Sequence, residues 1–137
     1  MRGLHLLIEL SRRTADERRG ILGQASLAKA DADAALALHE DGIANESRIA
    51  ANDPAIMATL GAWSNHAVRE RAILRARHAE SERAEGDARE ALRSAFIDLK
   101  RLEMARDTIV RQERVGAMRR ADRQAEETYA FARSFAA

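Results

Sequence analysis

Cysteine is absent from this chain of 137 residues, proline occurs once, at Pro54, and aromatic side chains make up 4%. Without cysteine no disulfide framework can form, which agrees with a reducing compartment, so the cytoplasm is the expected location. With few aromatics, and with thirty alanines inside a nominal 46% hydrophobic content, a deep globular interior is not expected. A long apolar run is also missing. Leu4 to Leu10 is interrupted by His5 and Glu9 and falls well short of the roughly 18 residues that a membrane span needs. No small-residue cleavage site follows it, so neither a signal peptide nor a spanning segment is expected. An excess of charge is lacking too: 23 basic residues nearly balance 22 acidic ones, without the concentrated positive field of a dedicated nucleic-acid binder.

Motifs that carry chemistry are equally scarce. There is no glycine-rich phosphate loop, nucleophile elbow or HExxH helix. The four histidines, His5, His39, His66 and His78, lack metal-ligand spacing. Carboxylate pairs such as Glu126-Glu127 and Asp31/Asp33 read as solvated faces with no pocket to shift their titration. The expectation is a protein without enzymatic activity, metal or cofactor.

What remains is helix. Charged residues (33%), alanine and leucine give the composition of long helices or coiled coils. Asn52-Asp53-Pro54 reads as a stop, an N-cap and a first helical position, because Asp53 can accept an orphan amide and Pro54 has no amide proton to lose. The expected fold is all-α: helix 1 over about residues 3–50, a turn near 51–53 and a longer helix 2 over about 54–134, folded as a single antiparallel coiled-coil hairpin. At about 1.5 Å per residue the helices span roughly 70 and 120 Å, so the second must overhang the first.

Periodicity supports this. In the first stretch Ile8, Ala15, Leu22, Leu36, Ile43 and Ala50 recur at multiples of seven, interrupted by Lys29. Leu7, Ile21, Ala28, Ala35 and Ile49 lie one position earlier on the same face. The second stretch has Leu60, Ala67, Leu74, Ser81, Ala88, Ala95, Leu102 and Ile109, flanked by Trp63, Ala91, Leu92, Leu99 and Ala105. The other heptad core position often holds Glu, Gln, Asp or Arg, so the coiled coil is imperfect and its stability modest.

A turn at 51–53 makes facing residue numbers add to about 104. Asp31, Asp33, Glu40, Asp41 and Glu46 then oppose a segment carrying Arg69, Arg71, Arg75 and Arg77. The same arithmetic brings His39 near His66, and Gly20 and Gly23 opposite Ser81, Ala84 and Gly86. That second cluster reads either as a close clasp or, in preference, as a flexible girdle. Trp63 reads either as a core plug at the hairpin tip or as an exposed anchor for a partner. Beyond about residue 104 helix 2 has no partner in the chain, yet it carries Ile109, Val115, Met118, Tyr129, Phe131 and Phe135, the pattern of a helix that awaits another protein. Asp107 and Arg111 form a favourable i,i+4 pair there. Lys100 to Arg123 holds eight basic and four acidic residues, and the interleaved acids argue against a DNA-reading helix.

With a shorter first helix, a turn and a longer second helix that overhangs it, the chain resembles the FliJ family of flagellar type III export proteins and, more distantly, the YscO-like stalk proteins of injectisomes. The likeness covers nearly the full length. It rests on Ala62-Trp63-Ser64-Asn65 just after the turn, Lys100-Arg101-Leu102-Glu103, and Tyr129-Ala130-Phe131-Ala132-Arg133. The resemblance implies a non-enzymatic central stalk in the hexameric ring of the flagellar export ATPase. It also implies contact with the cytoplasmic domain of the export gate FlhA, recycling of export chaperones, and a place at the inner membrane reached only through partners. Carried over residue by residue, the ATPase contact falls on Leu4, Leu7 and Ile8 with Val115 and Met118. The gate contact falls on Trp63, Ile73 and Ala76, with Arg69 where the family has an aromatic residue. A soluble export chaperone and a generic coiled-coil scaffold are the rival readings.

Overall fold

The computed structural model describes residues 1–136 and contains, among them, no strand. Helix α1 runs over Arg2–Ala51, α2 over Pro54–Met57 and α3 over Leu60–Ala136. All the glycines sit inside helices without positive φ, so none acts as a turn residue.

The expected cap at Asp53 is present. Its side chain accepts the Ala55 amide at 2.9 Å, and Pro54 opens the helix. Upstream, the Asn52 and Asp53 amides reach back to the Ile49 and Ala50 carbonyls at 3.1 and 3.3 Å, and Asn52 Nδ2 donates to the Arg48 carbonyl. These bonds satisfy carbonyls that the end of α1 would otherwise leave orphaned. The helix that begins at Pro54 does not run on, however. Both Thr59 donors, the amide at 3.1 Å and Oγ1 at 2.9 Å, converge on the Ile56 carbonyl. This tightened i→i−3 turn closes α2 after Met57, and Trp63 N–H to Thr59 O then starts α3. The expected helix 2 is therefore two helices, and the connection occupies residues 52–59 instead of 51–53.

Packing divides the chain into two units, Met1–Thr14 with Phe96–Ala137 and Ala15–Ala95. In the first, Ile8 and Leu99 are buried while Leu4, Leu102 and Ile109 are half-buried. Arg12 Nη2 lies 4.0 Å from Glu103 Oε1 across the two segments. Asp107 pairs with Arg106, not with Arg111 as the sequence suggested.

In the second unit the buried side chains are Ala15, Ala32, Ala50, Ala67, Ala88 and Ala95, all alanine. Leu22, Leu36, Ile43, Leu60 and Leu74 are half-buried beside them. A methyl group buries little area, at roughly 0.8 kcal/mol per carbon, but it lets helix backbones come close. Of the two inward series proposed for the first stretch, the heptad series from Ile8 to Ala50 holds. The series one position earlier does not, since Leu7, Ile21 and Ile49 are about half exposed. Its place is taken by Leu4, Ser11, Ala25, Ala32 and His39, the more polar heptad position.

Facing residues in this unit are displaced from the expected register by one heptad. Glu40 meets Arg71, where the shorter turn put Ser64, and Asp33 meets His78, where it put Arg71. The residues spent in the longer connection account for the shift. Because it equals a full heptad, the shift itself leaves the heptad phase of each helix unchanged.

The shifted register moves Gly20 and Gly23 off the level of Ser81 and Gly86, and both glycines are exposed. Arg18, Ile21, Ala84, Asp87, Ala88 and Ala91 line an open recess of about 370 Å³ there. Nothing lies within 4 Å of the place a Cβ would take at either glycine. No close clasp exists at these positions, and each glycine only weakens the helix, by about 1 kcal/mol against alanine. Gly20→Ala with Gly23→Ala is expected to stabilise the fold by about 2 kcal/mol, seen as a melting temperature several degrees higher by circular dichroism. A lower melting temperature would mean that the glycines serve a close approach.

Candidate functional site

The richest surface lies in the second unit beside Trp63. Ala35, Leu38, His39, Gly42, Ile43 and Glu46 of α1 and Trp63, His66, Ala67, Glu70 and Leu74 of α3 line an open cleft of about 460 Å³. Heptad geometry explains its composition: small residues at the edge of the seam, Ala35 and Gly42, leave room that the indole only partly fills. Trp63 is half-buried and also borders a smaller recess with Ala50, Ile56 and Leu60. It packs at the end of the seam while keeping one edge open.

The expected approach of His39 and His66 is realised only in that both line this cleft. His39 Nε2–H donates to the Ala67 carbonyl at 3.2 Å, which uses one ring nitrogen in holding α1 to α3. No group of three or more potential metal ligands occurs among the described residues.

Charge is arranged on the opposite flank of the seam. Arg71 places both Nε and Nη2 at 2.9 Å from Glu40 Oε1, Arg75 approaches the same oxygen at 3.6 Å, and His78 pairs with Asp33. Such partly exposed pairs each contribute only about 0.2–1 kcal/mol, so they select register more than they stabilise. Arg69, which the resemblance aligned with an aromatic position, is exposed.

The candidate partner residues separate by exposure. Ile73 is 66% exposed and Ala76 lies exposed on the same helix face. In the first unit, Leu7 (52%), Val115 (42%) and Met118 (67%) are open, Leu4 is half-buried, and Ile8 is buried at 3%. Ile8 therefore serves the seam. Several exposed apolar side chains were not singled out from the sequence: Leu38 at the cleft, Val68 on α3, and Ile97 and Met104 on the outward face of α3. The signal for the last two was their spacing of seven from each other and of fourteen from Met104 to Met118.

Comparison with protein-family models, curated proteins and solved structures finds no match to this chain. No helix among the described residues is long and apolar enough to cross a membrane.

Trp63→Ala is expected to cost about 2 kcal/mol, roughly half the price of deleting a fully buried indole, whereas Ile73→Asp should stay within about 0.5 kcal/mol of the parent. Urea denaturation of both variants checks this. A large loss from Ile73→Asp would place that side chain in the core and remove it from the partner surface.

Proposed function

We propose that this chain is a FliJ-like stalk: an antiparallel coiled-coil hairpin, without enzymatic activity, that inserts into the ring of a type III export ATPase and touches the export gate. The observation that carries this reading is the end of α3. It stays helical to Ala136 while Val115, Met118, Tyr129 and Phe131 remain exposed. Supporting it, α1 and α3 contain 50 and 77 residues and meet through pairs that descend one helix as they ascend the other, Asp33 with His78 and Glu40 with Arg71. A shaft needs length, stiffness and a surface of mixed charge; its energy source is the partner's ATP hydrolysis. In this reading Leu7, Val115 and Met118, beside Leu4 and the buried Ile8, form the ATPase contact, and Trp63, Ile73 and Ala76 form the gate contact with the FlhA cytoplasmic domain. The protein then works in the cytoplasm, held at the inner membrane by its partners, and also meets export chaperones. The exposed Tyr129, Phe131 and Phe135 suit the second reading, an export chaperone that captures an apolar segment through its C-terminal helix.

Titrating the chain into a flagellar export ATPase distinguishes the two. Stimulation of hydrolysis saturating near one chain per ring is expected of a stalk, and its absence together with capture of substrate peptides would favour the chaperone. Leu7→Asp should abolish stimulation without loss of helicity; Ile8 is unsuited to this test because its burial ties it to folding. Ile73→Asp should weaken binding of the gate domain at least tenfold and leave ATPase binding unchanged, as measured by calorimetry. Equal gate affinity would remove Ile73 from the contact.

A further inference from the structure

A second stripe, mostly uncharged and with five apolar residues among its eight, runs along the last part of α3. Val110, Arg114, Ala117, Ala121, Gln124, Thr128, Phe131 and Phe135 alternate at spacings of three and four. Seven of the eight are uncharged, and all but the half-buried Val110 are exposed. Two features fit them for burial. The Thr128 hydroxyl already donates to the Gln124 carbonyl at 2.8 Å, so its polar atom is satisfied within the helix. Phe131 and Phe135 stack edge to face with centroids 4.8 Å apart, although 66% and 76% exposed, forming one aromatic knob. The charges around the stripe are unspent: no side chain from Arg111 to Arg133 has an ion-pair partner among the described residues.

We propose that this stripe is a dimerisation seam occupied by the same segment of a second copy, running antiparallel about a two-fold axis between Ala121 and Gln124. The occupant follows from self-complementarity. When facing residue numbers add to about 245, Ala121 meets Gln124, Ala117 meets Thr128, and Val110 meets Phe135 of the other copy. Arg114, the one charge in the stripe, meets the face of Phe131, where a guanidinium is attracted to the aromatic ring. On the flank of the same register Arg120 meets Glu127. The two-fold axis makes each of these contacts twice, as an isologous interface requires. Parallel pairing would instead stack Arg114 on Arg114 and both phenylalanine pairs at one end. Val115 points to a different side of the helix, but Phe131 belongs both to this seam and to the exposed residues on which the stalk reading rests, so one α3 end serves one of the two contacts at a time.

Sedimentation velocity of the full chain over a wide concentration range tests it. The expected result is a reversible monomer–dimer equilibrium. Arg120→Glu alone and Glu127→Arg alone should each weaken the dimer about tenfold, by turning two attractions into two repulsions, and the double reversal should restore it. Phe131→Ala, with unchanged helicity, should weaken it further. A chain that is monomeric at all concentrations would overturn the proposal. So would a dimer that ignores both single reversals, or one that the double reversal fails to restore. ATPase stimulation by a monomeric Arg120→Glu variant reports separately on the stalk reading.

Discussion

Close packing through alanine is the constraint on which the rest of this fold depends. In the unit spanning Ala15–Ala95 the buried side chains are all alanine, with leucine and isoleucine only half covered beside them. A seam of methyl groups buries modest area per residue, so its stabilisation has to be collected over length. That explains why α1 and α3 are long, and why the polar connections between them are exact in kind: Glu40 with Arg71 and Arg75, Asp33 with His78, His39 with the Ala67 carbonyl. Each is weak alone. Together they oppose sliding, which a uniform methyl seam does little to prevent.

The same constraint decides where apolar side chains cannot go. A narrow seam has two inward positions per heptad, and the larger residues just outside it, Leu7, Ile21 and Ile49, are left about half exposed. On the side away from the Glu40–Arg71 pair, small residues leave the cleft beside Trp63 open. The molecule is consequently rich in exposed apolar groups. Such a surface suits serial contacts with several helical partners better than it suits a single deep pocket.

Much of this was legible in the sequence. The helical class, the break at Asp53-Pro54 and the heptad series from Ile8 to Ala50 and from Leu60 to Ile109 all follow from caps and periodicity. The register did not follow, because a pattern with period seven is silent about a displacement of seven. What fixed it was a local choice, the double donation of Thr59 to the Ile56 carbonyl, which ends α2 and lengthens the connection. The second inward series was also missed in α1, because Ser11 and His39 look like surface residues until a partner helix covers them. For the partner surfaces, the sequence marked Ile73 and Met118 as apolar residues off the seam, but it grouped Ile8 with Leu7. Adjacent positions on a helix are separated by about 100°, and only the packing shows which one faces inward.

The end of α3 carries the weight of the proposed function because its helicity needs no burial. Ala, Arg, Gln and Glu dominate residues 111–127 and are strong helix formers, so the segment can continue α3 on propensity once the packed part has nucleated it. Tyr129, Phe131 and Phe135 are poorer helix formers and bury nothing in the chain. They lower the stability of an isolated helix and raise its tendency to associate. Intramolecular folding therefore accounts for the helix but not for its aromatic residues. The proposed contact with another chain would account for both, since the ordering entropy of the helix is already spent before a partner arrives.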